Sequence, residues 1–227
     1  RYPSPSLSPS CTVSSFTVTI ESIGTCSLTA SQAGNGFFNA ATDVTRSFVV
    51  SPKAITMSIQ IDDKTYDGST TATVSSTSLI GLVTGDEDLV AVDEDQISAA
   101  FTNSSAGETK SVNATLGANV LVAGPSGDLA DHYTVTVASA PTGTITKASQ
   151  SSLTISVNDS SLNYGDVAAL SSSGGSGTGA VTFSVDSGDC SISGTTVTAT
   201  GGTTDCVISA VKASDTNYLQ ASSSNTV

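Results

Sequence analysis

Apolar and polar residues alternate along most of this chain, and they do so in short runs. Phe16, Val18 and Ile20 form one run, Met57, Ile59 and Ile61 another, and Leu153, Ile155 and Val157 a third. A period of two places the apolar members on one face of a half-buried strand. Turn residues interrupt the runs about every 8–12 positions, the rhythm of a sandwich built from short strands. No stretch keeps an apolar stripe at helical period for three turns, and no apolar run reaches the roughly 18 residues of a membrane-spanning helix. The pattern predicts an all-β chain with no membrane insertion. Arg1-Tyr2-Pro3-Ser4-Pro5 lacks the apolar core of a signal peptide, so a secreted protein would be represented here by an internal or processed piece.

The pattern also repeats. The stretch from Cys11 (CTVSSFTVTIESIGTCSLTA) aligns with the stretch from Cys190 (CSISGTTVTATGGTTDCVISA). Cys11 falls on Cys190, Cys26 falls on Cys206 with a one-residue difference in length, and Phe38-Asn39 falls close to Asn217-Tyr218. Residues 1–52 therefore read as the C-terminal half of a module whose more complete copy spans 148–227. Residues 53–147 read as a different module without cysteine. Pro52-Lys53-Ala54 and Thr146-Lys147-Ala148 look alike, and each leads directly into an alternating strand. Short linkers of this kind predict modules strung end to end. Half a sandwich would leave an open apolar face and unpaired edges. Either strands preceding Arg1 cover it, or a neighbouring chain donates them. Head-to-tail donation would grow a filament.

The cysteines form two pairs, Cys11 with Cys26 and Cys190 with Cys206, each on strands that flank a shared hairpin. Each pair closes a loop of about 15 residues, and a disulfide across such a loop contributes on the order of 3 kcal/mol. Disulfides imply an oxidising compartment, hence an extracellular or cell-surface location. Four buried thiols in a cytosolic protein are the alternative. No C-x-x-C motif occurs, and one histidine cannot complete the common zinc ligand sets.

Charge narrows the partners. Seven Lys and Arg against 20 Asp and Glu leave a net charge of −13, and a nucleic-acid binder needs the opposite. The acidic runs Asp86-Glu87-Asp88 and Asp93-Glu94-Asp95 supply the oxygen ligands that calcium takes, with Asp86, Asp88, Asp93 and Asp95 as candidates. They lack the glycine of an EF-hand loop, and a solvated acidic face is the stronger reading. Gly175-Ser176-Gly177-Thr178-Gly179-Ala180 fits a dinucleotide-loop string, but a β-pattern follows where that loop needs a helix. His132 is the single histidine and no G-x-S-x-G elbow exists, so no nucleophile–base constellation is legible. The absence of Trp weakens a glycoside-cleaving carboxylate pair. Lys64, Lys110 and Lys212 are the candidate donors for a self-made cross-link to Asn or Asp. Asn103, Asn113 and Asn158 begin N-x-[ST] strings, which are frequent by chance in Ser/Thr-rich sequence.

The centre of the chain resembles the YDG-type repeat of large bacterial surface proteins. The residues carrying the resemblance are Lys64-Thr65-Tyr66-Asp67-Gly68-Ser69-Thr70, the turn Gly81-Leu82-Val83-Thr84-Gly85-Asp86, and Tyr133-Thr134-Val135. The flanks are similar to the immunoglobulin-like repeats that accompany it, through Tyr164-Gly165-Asp166, the Gly-rich loop, the cysteine pairs and Asn217-Tyr218. His132 departs from the small polar residue expected there. The resemblance implies tandem immunoglobulin-like β-sandwich modules strung end to end: half a module at 1–52, a YDG-type module at 53–147 and a full module at 148–227. It implies a structural spacer of a surface or fibre-forming, adhesin-like protein rather than an enzyme. Its partners would be neighbouring repeats or subunits. The alternative is a module that binds glycan or a partner protein through its loop tips.

Overall fold

The computed structural model describes residues 10–226. It is all-β, 53% strand and 3% helical, with several sheets. Among the described residues no helix is long and apolar enough to cross a membrane. Arg1–Pro5, where the leader was sought, lie outside the described residues. The first ten strands are β1 (Cys11–Ser14), β2 (Thr17–Ile20), β3 (Gly24–Ala30), β4 (Val44–Val50), β5 (Lys53–Ile61), β6 (Lys64–Thr65), β7 (Val74–Ile80), β8 (Val90–Val92), β9 (Ile97–Phe101) and β10 (Gly107–Leu116). The remainder are β11 (Leu121–Ala123), β12 (Tyr133–Val137), β13 (Thr142–Thr146), β14 (Leu153–Val157), β15 (Val167–Gly174), β16 (Val181–Ser187), β17 (Cys190–Ser193), β18 (Thr196–Ala199), β19 (Val207–Lys212) and β20 (Ala221–Thr226).

The chain folds as two compact units. One takes the residues up to Ile59 with Ser76–Ser98 and Ala114–Ala140. In it β1 and β2 form a tight hairpin, and β3 and β4 form a second, longer-looped one. β5 is the centre of a three-stranded sheet between β12 and β7, and it runs parallel to β12 from Lys53↔Tyr133 to Met57↔Val137. β8 pairs with β11. The alternation of β5 turns Ile55 inward, where it packs with Val90 and Tyr133 against Leu79, Leu121, Leu129 and Val135.

The other unit takes Gln60–Ser75, Ala99–Asn113 and the chain from Pro141 onward. A four-stranded sheet in the order β6-β13-β10-β9 carries a core of Ala72, Phe101, Val112 and Ile145. Gly143 lets this core close. A Cβ there would stand 3.0 Å from Ile61 Cγ2 and 3.2 Å from Phe101 Cζ. Beyond it lie a four-stranded sheet, β14-β15-β18-β17, and a three-stranded sheet, β16-β19-β20. Their apolar faces share one core of Leu153, Ile155, Ala168, Leu170, Val197, Cys206, Ile208 and Ala210. The Gly-rich loop leads into β16, a strand.

The internal repeat is present in the backbone. β1–β2 pairs Cys11 with Ile20, and β17–β18 pairs Cys190 with Ala199, each around a two-residue turn. The first turn residue is left-handed in both copies, Ser15 at φ 56° and Gly194 at φ 60°. Cys11 is joined to Cys26 and Cys190 to Cys206. The copies differ in what covers them. Val197 is 1% exposed under β14 and β15, whereas its counterpart Val18 is 36% exposed. Ile208 and Ala210 are buried, while their counterparts Leu28 and Ala30 are half-buried and exposed. One apolar pattern thus has two environments, and burial rather than residue type sets its worth.

Truncating the two valines measures that difference. Val197→Ala should cost about 2 kcal/mol in chemical denaturation, the scale of a buried large-to-small change. Val18→Ala should stay within about 0.5 kcal/mol, as at solvated positions. Equal losses would contradict the burial assigned to the first copy.

Candidate functional site

Two clusters draw the sequence motifs together. The first surrounds Tyr133. Its ring is buried, and its hydroxyl donates to Asp86 Oδ2 at 2.5 Å and accepts from the Val83 N–H at 3.1 Å. Burial, and next the Asp86 carboxylate, raise the Tyr133 phenol above its usual range. The Gly-Asp turn and the Tyr-Thr strand, far apart in sequence, are therefore two halves of one hydrogen-bonded contact. Glu87 Oε2 accepts from the Gly85 N–H at 2.8 Å and tightens the same turn.

A cleft of about 390 Å³ opens beside Tyr133, lined by Ile20, Ser22, Val50, Val83, Asp86 and His132 among others. His132 ends a single 3-10 turn, Ala130–His132, immediately before β12. The hydroxyl of Ser22 donates to the Ile23 carbonyl and Asp86 is engaged by Tyr133. A second cavity, about 300 Å³, lies beside the Cys190–Cys206 bridge. Its Asp189 accepts from the Thr203 hydroxyl and from the Thr203 and Thr204 N–H groups, and these bonds lower its pKa.

The calcium candidates are spread over separate local tasks. Asp86 serves Tyr133, the Asp88 carbonyl accepts from the Ser126 N–H, and Asp93 Oδ1 accepts from the Asp95 N–H to cap a 3-10 turn. Among the described residues no group of three or more His, Cys, Asp or Glu is placed to hold a metal ion. The lysines named for cross-linking are engaged in hydrogen bonds. Lys110 Nζ donates to Asn103 Oδ1 at 2.6 Å, and Lys212 Nζ to the Gly175 carbonyl at 3.2 Å. Asn158 Oδ1 accepts from the Ala169 N–H at 2.6 Å, tying the residue that follows β14 to β15.

The second cluster is the Tyr66-Asp67-Gly68 corner. Asp67 Oδ1 accepts from the Ser69 N–H and pairs with Lys64 Nζ, both at 2.8 Å. Gly68 takes φ +81°, the left-handed turn that glycine adopts without strain. Lys64 first, then Ser69, holds the Asp67 carboxyl near a pKa of about 2. Asp67 is exposed and Lys64 half-buried, and a pair screened on its carboxylate side orders the turn more than it stabilises the fold. The turn presents the Tyr66 ring edge-on to Tyr218, with centroids 5.4 Å apart. Beside it the Ala106 N–H donates to Asn217 Oδ1 at 3.0 Å.

Asn217 and Tyr218 are held in place by Asp215. Its Oδ1 accepts from the Asn217 and Tyr218 N–H groups at 2.8 Å each, and its Oδ2 accepts from the Thr178 N–H and hydroxyl at 2.6 and 3.1 Å. Lys147 Nζ donates to the Asp215 carbonyl at 2.5 Å. Gln150 ties the Gly177 N–H to the Leu219 carbonyl, and Ala148 bridges to Tyr218. The joint after the central segment is therefore a built contact. Sequence reading named Tyr66 and Tyr218 separately; nothing in the local pattern announces that two tyrosines so far apart meet.

Residues 51–143 match a family model described as YDG domain, so the chain contains a YDG domain at those positions. The match takes in the Tyr66-Asp67-Gly68 corner, the Asp86 turn and Tyr133. No curated protein and no solved structure matches the chain.

Two predictions follow from the clusters. Tyr133→Phe leaves the Val83 N–H and Asp86 without their partner and should cost about 1–3 kcal/mol in denaturant unfolding; an unchanged midpoint would show the contact to be idle. Asp215 has its pKa depressed from 3.8 to about 2, chiefly by the Thr178 N–H and then the Asn217 N–H. A depressed folded value means the contribution is complete above the unfolded pKa and is lost as pH falls toward the folded one. Amide shifts of Thr178 and Asn217 should therefore titrate together with a midpoint near 2, and Asp215→Asn should abolish that step. A midpoint near 4 would contradict the bonding described.

Proposed function

We propose that this chain is a run of structural spacer repeats from a large extracellular, surface or fibre-forming, adhesin-like protein. The modules are a half immunoglobulin-like module at 1–52, the YDG-type module at 53–147, and an immunoglobulin-like β-sandwich at 148–227. The observation that carries the reading is the joint at Tyr66 and Tyr218, where a ring contact and a hydrogen bond from the Ala106 N–H to the Asn217 side chain link the YDG domain to the segment that follows. A protein whose task is to hold a distance needs stiffness at its joints more than it needs a pocket. Two disulfides fit an oxidising compartment. The net charge of −13 favours solubility and disfavours nucleic acid. On this reading the protein is not an enzyme, and its partners are neighbouring repeats or subunits.

A second reading, a binding module acting through a loop tip, is favoured by one feature. Phe37 and Phe38 are 93% and 73% exposed at the end of the β3–β4 loop, and exposed adjacent aromatics commonly mark contact sites. A glycan array and a cell-binding assay with the full chain separate the two. The spacer predicts no saturable binding. Saturable binding that Phe37→Ser/Phe38→Ser removes would establish the second reading and overturn the first.

A further inference from the structure

The tip of the β3–β4 loop is the same device as the clamp at Tyr218. Asn35 Oδ1 accepts from the Phe37 and Phe38 N–H groups at 2.9 and 3.1 Å, and the Asn35 N–H donates to the Phe38 carbonyl at 2.8 Å. In the second copy Asp215 Oδ1 accepts from the Asn217 and Tyr218 N–H groups, and the Asp215 N–H donates to the Tyr218 carbonyl at 3.1 Å. The two turns superpose in sequence by the same step that carries Cys26 onto Cys206. Asn35 therefore stands for Asp215, Phe37 for Asn217, and Phe38 for Tyr218. Tyr218 is half-buried against Tyr66, while Phe38 stands 73% exposed.

From this we infer that the Asn35–Phe38 turn is a docking tip, and that its occupant is the Tyr-Asp-Gly corner of another YDG-type domain, placed before Arg1 in the same polypeptide. The inference rests on the repeat reading and deepens it by naming the surface that joins one repeat to the one before. The corner at Tyr66 in this chain already holds Tyr218, so it is not free to receive Phe38 from a second copy. The substitution of Phe37 for Asn217 carries a further consequence. Asn217 supplies an acceptor to the Ala106 N–H, and phenylalanine cannot. The preceding domain's corner is therefore expected to be more apolar than the one seen here, with the N–H at the position of Ala106 paired elsewhere.

The chain has no tryptophan, so one introduced indole reports alone. The test compares Phe38→Trp in the 227-residue chain with Phe38→Trp in a lengthened chain, in which residues 51–189 are joined directly ahead of Cys11. That join follows the repeat and supplies a Tyr-Asp-Gly corner together with counterparts of Ala148, Gln150 and β14–β16. Tyr218→Trp in the 227-residue chain sets the standard for a docked ring. In the lengthened chain the Phe38→Trp emission should shift to the blue and its acrylamide quenching should fall to that standard. Tyr66→Ala in the added segment should return both to the exposed values, and Phe37→Asn should strengthen the protection by restoring the acceptor. An indole that stays exposed while amide exchange at Leu28 and Ala30 becomes protected would overturn the docking tip and leave the spacer reading standing. Protection that instead grows with concentration in the 227-residue chain would assign the occupant to a second copy and also overturn it. Saturable glycan binding with a docked indole would remove the spacer reading alone.

Discussion

The constraint behind this structure is that loop N–H groups must be paired, and the chain has little apolar bulk with which to hide its loops. It contains six phenylalanines, five tyrosines and no tryptophan. Carboxylates and amides take up the task. Asp215 gathers Thr178, Asn217 and Tyr218; Asp189 gathers Thr203 and Thr204; Asp67 takes Ser69; Asn35 takes Phe37 and Phe38. Each is a short side chain accepting from backbone two or three residues on, or from a facing loop. The acidity of the chain is thus in part a structural inventory. A carboxylate already accepting two or more N–H bonds, as Asp215 and Asp189 do, has less to offer a cation.

The all-β character was legible because it depends on short-range pattern. Alternation placed β5, β14 and β18, and the spacing of Cys11, Cys26, Cys190 and Cys206 located the hairpins and the bridges that span them. Turn chemistry carried the register: Gly194 needs its left-handed φ, and Ser15 holds the same φ without being glycine. The candidate site was less legible. Asp86 was read among cation ligands, yet its partner is a tyrosine 47 positions away. Tyr66 stands in the sequence reading only as part of a motif string, and the ring that meets it lies at Tyr218. Periodicity reports which face of a strand is buried and is silent about which loop faces which. The repeat alignment came closest, and it set Phe38-Asn39 near Asn217-Tyr218. The shared turn resolves that as Phe38 on Tyr218.

The YDG motif strings divide between two tasks. The Gly-Asp turn and Tyr133 close a core from within, with a buried phenol satisfied at both of its hydrogen-bonding sites. The Lys-x-Tyr-Asp-Gly string works at an edge: half-buried Lys64 pairs with exposed Asp67, Gly68 has open space around it, and the Tyr66 ring packs against the core of Ala72, Phe101, Val112 and Ile145. The same ring meets Tyr218, so the turn that Asp67 and Gly68 shape places one aromatic side chain between its own core and a loop far along the chain.

That division bears on the proposed spacer role. If the working parts of such a chain are its joints, the informative residues are those that are ordered by their own module and completed by another. Tyr66 meets this description because its turn is set by Asp67 and Gly68 while its ring rests on Tyr218. Tyr218 meets it in the reverse sense, set by Asp215 and completed by Tyr66. Phe38 is ordered by Asn35 in the same manner, and it is the member of the set whose ring stands mostly in solvent. The equivalence of Asn35 with Asp215 is reached through hydrogen bonds rather than through residue identity, and the proposed docking of Phe38 rests on that equivalence together with the exposure of the ring.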